Sequence, residues 1–254
     1  MQLLKDLREH NYLFQDLDAE LLSQSLKSQQ LVTEKLYSNR PVYTAFRENL
    51  VLEHLYAVID GGPVIMRSTP LDRIIAITYP GSCFGMRSLD FSFGKAYQTF
   101  PSLVEAYKTA DVIKIPVAVI QTLYEANETF RERYQFLLEL REKFQYHLLN
   151  CSTYPPQAVA TLLRALIYQE RELGNQPQEN NLFVFDLPVD VIARTCQLNH
   201  RTVEQVIKGM IKVGLLEKSK ASDSSKDLIR LANPEALKEV YGATRDKVAW
   251  WPLR

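Results

Sequence analysis

The residues best suited to recognition chemistry lie between positions 199 and 220, in the run NHRTVEQVIKGMIKVGLLEKSK. Arginine can bond guanine through two donors at once, glutamine matches adenine, and a histidine ring offers a single donor or acceptor. His200, Arg201 and Gln205 are therefore candidates for reading base edges. Asn199, Thr202, Lys208, Lys218 and Lys220 carry the polar or cationic groups that hold phosphate oxygens. From His200 to Lys220 the basic residues are Arg201, Lys208, Lys212, Lys218 and Lys220, against the acids Glu204 and Glu217. The whole chain has a formal net charge of zero, so this basic excess is local, where the phosphate term of DNA binding needs it.

Other chemistries find less support. The histidines His10, His54, His147 and His200 lie outside any catalytic motif. The chain lacks a glycine-rich phosphate loop, a Gly-x-Ser-x-Gly elbow and a His-Glu-x-x-His pair. An enzyme is not expected. The cysteines Cys83, Cys151 and Cys196 are too far apart to suggest a zinc site or a disulfide framework, and they read as buried reduced thiols. Neither a metal nor a cofactor is expected.

Helices must position the 199–220 residues. Asp186 and Pro188 suit a helix start, and VDVIART continues from them. CQL reads as a tight turn. Asn199 then caps a second helix, in which Val203, Val206, Ile207, Met210 and Ile211 repeat at helical spacing and face inward. Two short helices this close form a helix-turn-helix. Gly214 ends the second, and LLEKSK and DLIRLA read as two strands of a wing around the turn ASDSSK.

The remainder divides by period. Residues 3–26 read as helical, with Asp18 as a cap before Leu21 and Leu22. From about residue 31, short β-rich runs alternate with turn formers: LVTEKLY, PVYTAF, LYAVID, PVIMRS, RIIAITY, then SLVEAY and DVIKIP. That spacing predicts a β-sandwich or jelly-roll barrel. Between Asn127 and Cys151, Phe130, Leu137, Phe144 and Cys151 recur every seven residues, with Tyr134, Arg141 and Leu148 as companions. An a/d seam of this kind favours pairing with a second helix, so these seven residues are the expected dimer interface. Tyr154-Pro155-Pro156 breaks the helix. The expected organisation is a jelly roll over 1–126, a dimerisation helix and hinge over 127–153, and a winged helix-turn-helix domain over 154–254.

With 46% hydrophobic and 24% charged residues, the chain has the composition of a soluble globular protein. Its apolar runs fall short of the roughly 20 residues a membrane span needs. The start, MQLLKDLREHN, is not a signal peptide, so a cytoplasmic location without membrane association is expected.

The segment VDVIARTCQLNHRTVEQVIKGMIKVGLLEKS resembles the helix-turn-helix signature of the catabolite activator/FNR (CRP/FNR) family of bacterial transcription regulators. YPGSCFG, residues 79–85, resembles that family's Pro-Gly-x-x-Phe-Gly barrel motif. The resemblance implies an α+β chain: an N-terminal cyclic-nucleotide-binding-like β-jelly-roll, a long dimerisation helix and a C-terminal winged helix-turn-helix. It implies a homodimer on a palindromic operator in double-stranded DNA, with RNA polymerase as a possible further partner.

Three departures bear on the effector. Met86 stands where cyclic-nucleotide binders carry the glutamate for the ribose hydroxyl, and Phe100-Pro101-Ser102 falls where their phosphate-binding arginine pair belongs. A buried phosphate without its cation is poorly compensated, so the expected regulator does not use cyclic nucleotide. The N-terminus also lacks the cysteine cluster of iron–sulfur members. The alternative is a small effector such as 2-oxoglutarate or cAMP. Phe84-Gly85-Met86-Arg87-Ser88-Leu89 partly matches the 2-oxoglutarate-binding members, and Arg87 and Arg141 can in principle clamp a carboxylate. Met86, Arg87, Ser88 and Arg141 are thus the candidate effector pocket. Within the signature, Gln197 replaces the usual turn glycine. The pair Trp250-Trp251 is expected to dock on the body or on a partner.

Overall fold

The computed structural model describes residues 2–25, 31–44, 53–68, 72–86, 102–149, 153–177, 181–218, 225, 227–242, 248 and 250–251. The chain forms two compact units. One comprises Met1–Leu71 and Ala76–Glu142; the other comprises Asp72–Ile75 and Lys143–Arg254.

The first unit opens with helices α1 (Gln2–His10) and α2 (Ala19–Ser25), in place of one helical stretch over 3–26. Asp18 separates them as a cap, its Oδ1 accepting from the Glu20 amide at 2.8 Å. The strands are β1 (Val32–Leu36), β2 (Pro41–Thr44), β3 (His54–Gly61), β4 (Val64–Ser68), β5 (Arg73–Thr78), β6 (Cys83–Phe84), β7 (Ser102–Ala106) and β8 (Ala110–Pro116). They build two four-stranded sheets, ordered β1-β8-β3-β6 and β2-β7-β4-β5, and every described pairing is antiparallel. Alternation is weak in β3 and β5, whose central residues are all buried, as in strands covered on both faces. Edge strand β1 is polar instead, and Lys35 pairs with Asp111 directly opposite at 3.4 Å. Gly61 turns the chain at φ 73°, where an added Cβ would lie 2.3 Å from the Thr109 carbonyl oxygen.

Helix α3 (Val117–Ala126) leads into the long helix α4 (Glu128–Leu149). Asn127 starts α4 by accepting from the Phe130 amide at 2.8 Å. The seven-residue stripe of α4 is already largely buried in a single chain. Phe130 and Tyr134 are 0% exposed in a single chain, and Leu137, Phe144 and Leu148 are also buried. Phe130 packs on Phe14 (ring centroids 5.6 Å apart), Tyr134 packs edge-on against Tyr124, and the Tyr134 hydroxyl donates to the Met86 carbonyl at 3.1 Å. Arg141 donates to the Cys83 carbonyl at 2.7 Å. Phe130 and Tyr134 are thus covered within their own chain. Cys151 lies outside the described residues. The outward face of α4 carries Glu128, Glu132, Gln135, Glu139 and Lys143, then Tyr146 and Leu149 at 66% and 54% exposure. The two units divide within this helix, between Glu142 and Lys143.

In the second unit, α5 (Pro155–Glu172) begins at the proline pair and buries Val159, Leu162, Leu163 and Leu166. Each such side chain contributes roughly 1.5–3 kcal/mol by leaving water. Then come β9 (Phe183–Asp186), α6 (Val189–Cys196), α7 (His200–Lys212), β10 (Leu216–Glu217), β11 (Leu228–Leu231) and α8 (Leu237–Tyr241). The wing is a three-stranded antiparallel sheet ordered β10-β11-β9, so the run LFVF joins the two expected strands. Among the described residues, no helix is long and apolar enough to cross a membrane, and no group of three or more His, Cys, Asp or Glu side chains is placed to hold a metal.

Candidate nucleic-acid interface

Helix α6 is locked into the second unit by Val191, Ile192 and Ala193, all buried, and Thr195 Oγ1 donates back to the Val191 carbonyl at 2.6 Å. It ends at Gln197, which adopts φ 55° and ψ 43°. A non-glycine residue in this left-handed conformation costs roughly 1 kcal/mol. Two bonds offset that cost: the Leu198 amide reaches the Ala193 carbonyl at 2.9 Å, and Gln197 Nε2 reaches the Arg194 carbonyl at 3.1 Å. The expected turn therefore forms without glycine.

Asn199 starts the next helix. Its backbone is extended, and its Oδ1 accepts from the Thr202 amide at 2.8 Å. That bond satisfies one of the amides a helix start leaves without an intrahelical partner. Val203, Val206 and Met210 are fully buried along one side of α7. His200, Arg201, Glu204, Lys208 and Lys212 are exposed on the other, with Thr202 and Gln205 half-buried at the flank. All the proposed reading residues thus lie in the first two turns, on or beside the polar face. Lys218 is exposed just beyond β10, whereas Lys220 lies outside the described residues.

One contact was not legible in the spacing. His200 Nε2 lies 2.9 Å from Asp190 Oδ1, and Asp190 Oδ2 lies 3.1 Å from Arg194 Nε. An ionised carboxylate only accepts, so Nε2 carries a proton toward Asp190. In the neutral ring, Nδ1 is then left as an acceptor. Asp190 orients His200 across the turn, as a carboxylate orients a histidine in other sites. The Asp190–Arg194 pair has helical i,i+4 spacing and could have been found in the sequence. The Asp190–His200 pair could not, because it joins two helices.

The candidate effector residues behave differently. Met86 is 1% exposed and its carbonyl accepts from Tyr134, while Arg141 is engaged with Cys83. Arg87 and Ser88 lie outside the described residues. The Cys83 thiol, also 1% exposed, is pushed up to about 12 by burial and is held protonated. Cys196 is buried as well and forms no disulfide.

No family profile and no curated protein matches the chain by sequence. Solved structures do match in shape. FixK2 from Bradyrhizobium japonicum is similar over 85% of this chain and 100% of its own, at TM-score 0.61 and 16% identity. A CooA mutant from Carboxydothermus hydrogenoformans is similar over 89% of this chain and 97% of its own, at TM-score 0.57 and 15% identity. A putative transcriptional regulator of the CRP/FNR family from Eubacterium rectale covers 91% of this chain and 98% of its own, at TM-score 0.52 and 13% identity. Two antiparallel sheets, a long helix and a helix-turn-helix with its wing, in that order, give this chain the fold of the CRP/FNR transcription regulators.

Proposed function

We propose that the chain is a sequence-specific DNA-binding transcription regulator that acts as a homodimer and does not use cyclic nucleotide. The observation that carries this reading is the exposed polar face of α7, which begins at a capped N-terminus while Val203, Val206 and Met210 fix the opposite face in the core. In a helix-turn-helix the first turns of the second helix enter the major groove. His200, Arg201 and Gln205 read base edges there. Lys208, Lys218 and Lys220 bind phosphates, as do Thr202 and the free amide end of Asn199. Asp190 holds the His200 ring so that its outward nitrogen meets the base.

Two copies present their reading helices about one DNA turn apart on a palindromic site. With the apolar stripe of α4 used internally, pairing falls to the outward face, where Tyr146 and Leu149 supply apolar contact. Glu128, Glu132 and Glu139 on the same face repel their symmetry mates in a parallel arrangement, so the dimer strengthens as salt rises. The buried Met86 and the engaged Arg141 support an effector-free regulator. Activation through contact with RNA polymerase, or repression by occlusion, then follows from operator position.

The test is selection of bound duplexes from a random pool at fixed salt, with the mass of the complex measured alongside. A symmetric consensus bound by two chains is the expected result. Equal affinity for every duplex overturns the reading.

A further inference from the structure

Helix α7 carries Gly209, among the poorest helix formers, in its last turn. The structure supplies a reason. A Cβ at this position would lie 2.3 Å from Trp250 Cε3 and 2.6 Å from Trp250 Cζ3, so the indole rests directly on the helix backbone. Any side chain would push it away. The tail is anchored behind that contact: Trp251 and Val248 are each 5% exposed, the Trp251 amide donates to the Val248 carbonyl at 3.0 Å, and the two indoles meet edge to face, 6.3 Å apart.

The place of contact matters. Val203, Val206 and Met210 hold α7 from beneath. Gly209 lies on the flank, one turn beyond Gln205 on the same row of the helix. A core beneath a helix limits its depth but resists rolling about the axis less well. A rigid ring on one flank opposes that roll, and rolling is the motion that carries Gln205 and Arg201 across the floor of a groove.

We infer that Trp250 is a positioning residue of the reading helix, setting through Gly209 the rotation at which α7 meets DNA. This rests on the DNA-reading function proposed above. Trp250 touches no base in this arrangement. It acts on specificity through the orientation of residues that do.

The full-length chain is tested with its selected duplex and a scrambled duplex, using fluorescence anisotropy at one salt concentration. Trp250→Ala is expected to lower the specific-to-scrambled affinity ratio by about tenfold, leaving scrambled binding within about twofold. Trp250→Phe restores most of the ratio, because a ring still rests on the glycine. Gly209→Ala gives a similar loss and shifts the tryptophan emission, which is readable because the chain has two tryptophans, both in this tail. The double variant Gly209→Ala/Trp250→Ala is no worse than either single change, since one contact underlies both. An unchanged ratio in Trp250→Ala or in Gly209→Ala overturns the inference while leaving the DNA-reading function intact. Additive losses in the double variant also overturn it. Should Trp250→Ala fail to fold, Trp250→Phe and Gly209→Ala decide the matter. Wild-type protein that prefers neither duplex overturns both readings.

Discussion

Helices α4 and α7 carry the same kind of signal, an apolar stripe opposite a polar face, and the structure uses the two stripes alike but for different ends. In α7 the stripe seats the helix in its own unit and leaves the polar face available, as its sequence implies. In α4 the stripe has a seven-residue period and reads as a seam for a second chain, yet Phe130 and Tyr134 are covered by Phe14, Tyr124 and the Met86 carbonyl of the same chain. An apolar stripe states that a face will be buried; it does not state by what. The seven-residue repeat of a coiled coil and the 3.6-residue period of a helix on a barrel differ by only about 20° per heptad. Over three heptads that difference is too small to separate the two.

Four measurements test this contrast. The largest effect is expected for Phe130→Ala, which should destabilise the first unit by about 3–5 kcal/mol through the lost transfer energy and the cavity left behind. Urea unfolding should show the same loss at two protein concentrations. A loss that depended on concentration would return Phe130 to an interface between chains. Next, Arg201→Ala should cost about 1–3 kcal/mol of discrimination at one base position, with little change in melting temperature because the side chain is exposed. Relaxed preference spread over many positions would contradict a direct base contact.

A smaller effect separates the two roles of Asn199. Asn199→Ala should lower folding stability by about 1 kcal/mol through the lost cap. Asn199→Asp should keep that stability, since a carboxylate caps equally well, yet weaken DNA binding by placing negative charge beside a phosphate. Thermal melts paired with gel shifts distinguish them, and equal binding by Asn199→Asp would remove the residue from the interface. The smallest expected effect belongs to Lys208→Ala. Stability should change by less than about 0.5 kcal/mol, and the slope of log affinity against log salt should fall by about 1 for every duplex alike. A change confined to one sequence would make Lys208 a reader of bases.

Much of the fold was legible for local reasons. The runs LYAVID and DVIKIP lie within β3 and β8, and PVIMRS forms β4 from Val64 onward, because β-branched residues and bounding turns act over a few positions. Asn199 and Asp18 cap where expected because a cap involves only its next few amides. Boundaries fared less well. LLEKSK yields a strand only at Leu216–Glu217, and the helical stretch over 3–26 breaks into α1 and α2, with Phe14 and Leu17 buried between them or at their junction. In those places packing overrode the local pattern. For the candidate site, the exposed polar face of α7 was visible in residue type and spacing, but Asp190 behind His200 and Trp250 on Gly209 were not. The first pair spans two helices, and the second joins residues about forty positions apart.

Local sequence was enough to set which faces are apolar, where helices begin and which polar groups stand exposed on α7, since these depend on neighbours within a turn or two of the chain. Packing between distant segments settled what covers each apolar face, which carboxylate meets the His200 ring and which ring lies against Gly209. Those outcomes depend on which distant segments reach the same place, and burial is indifferent to the order in which the chain supplies them.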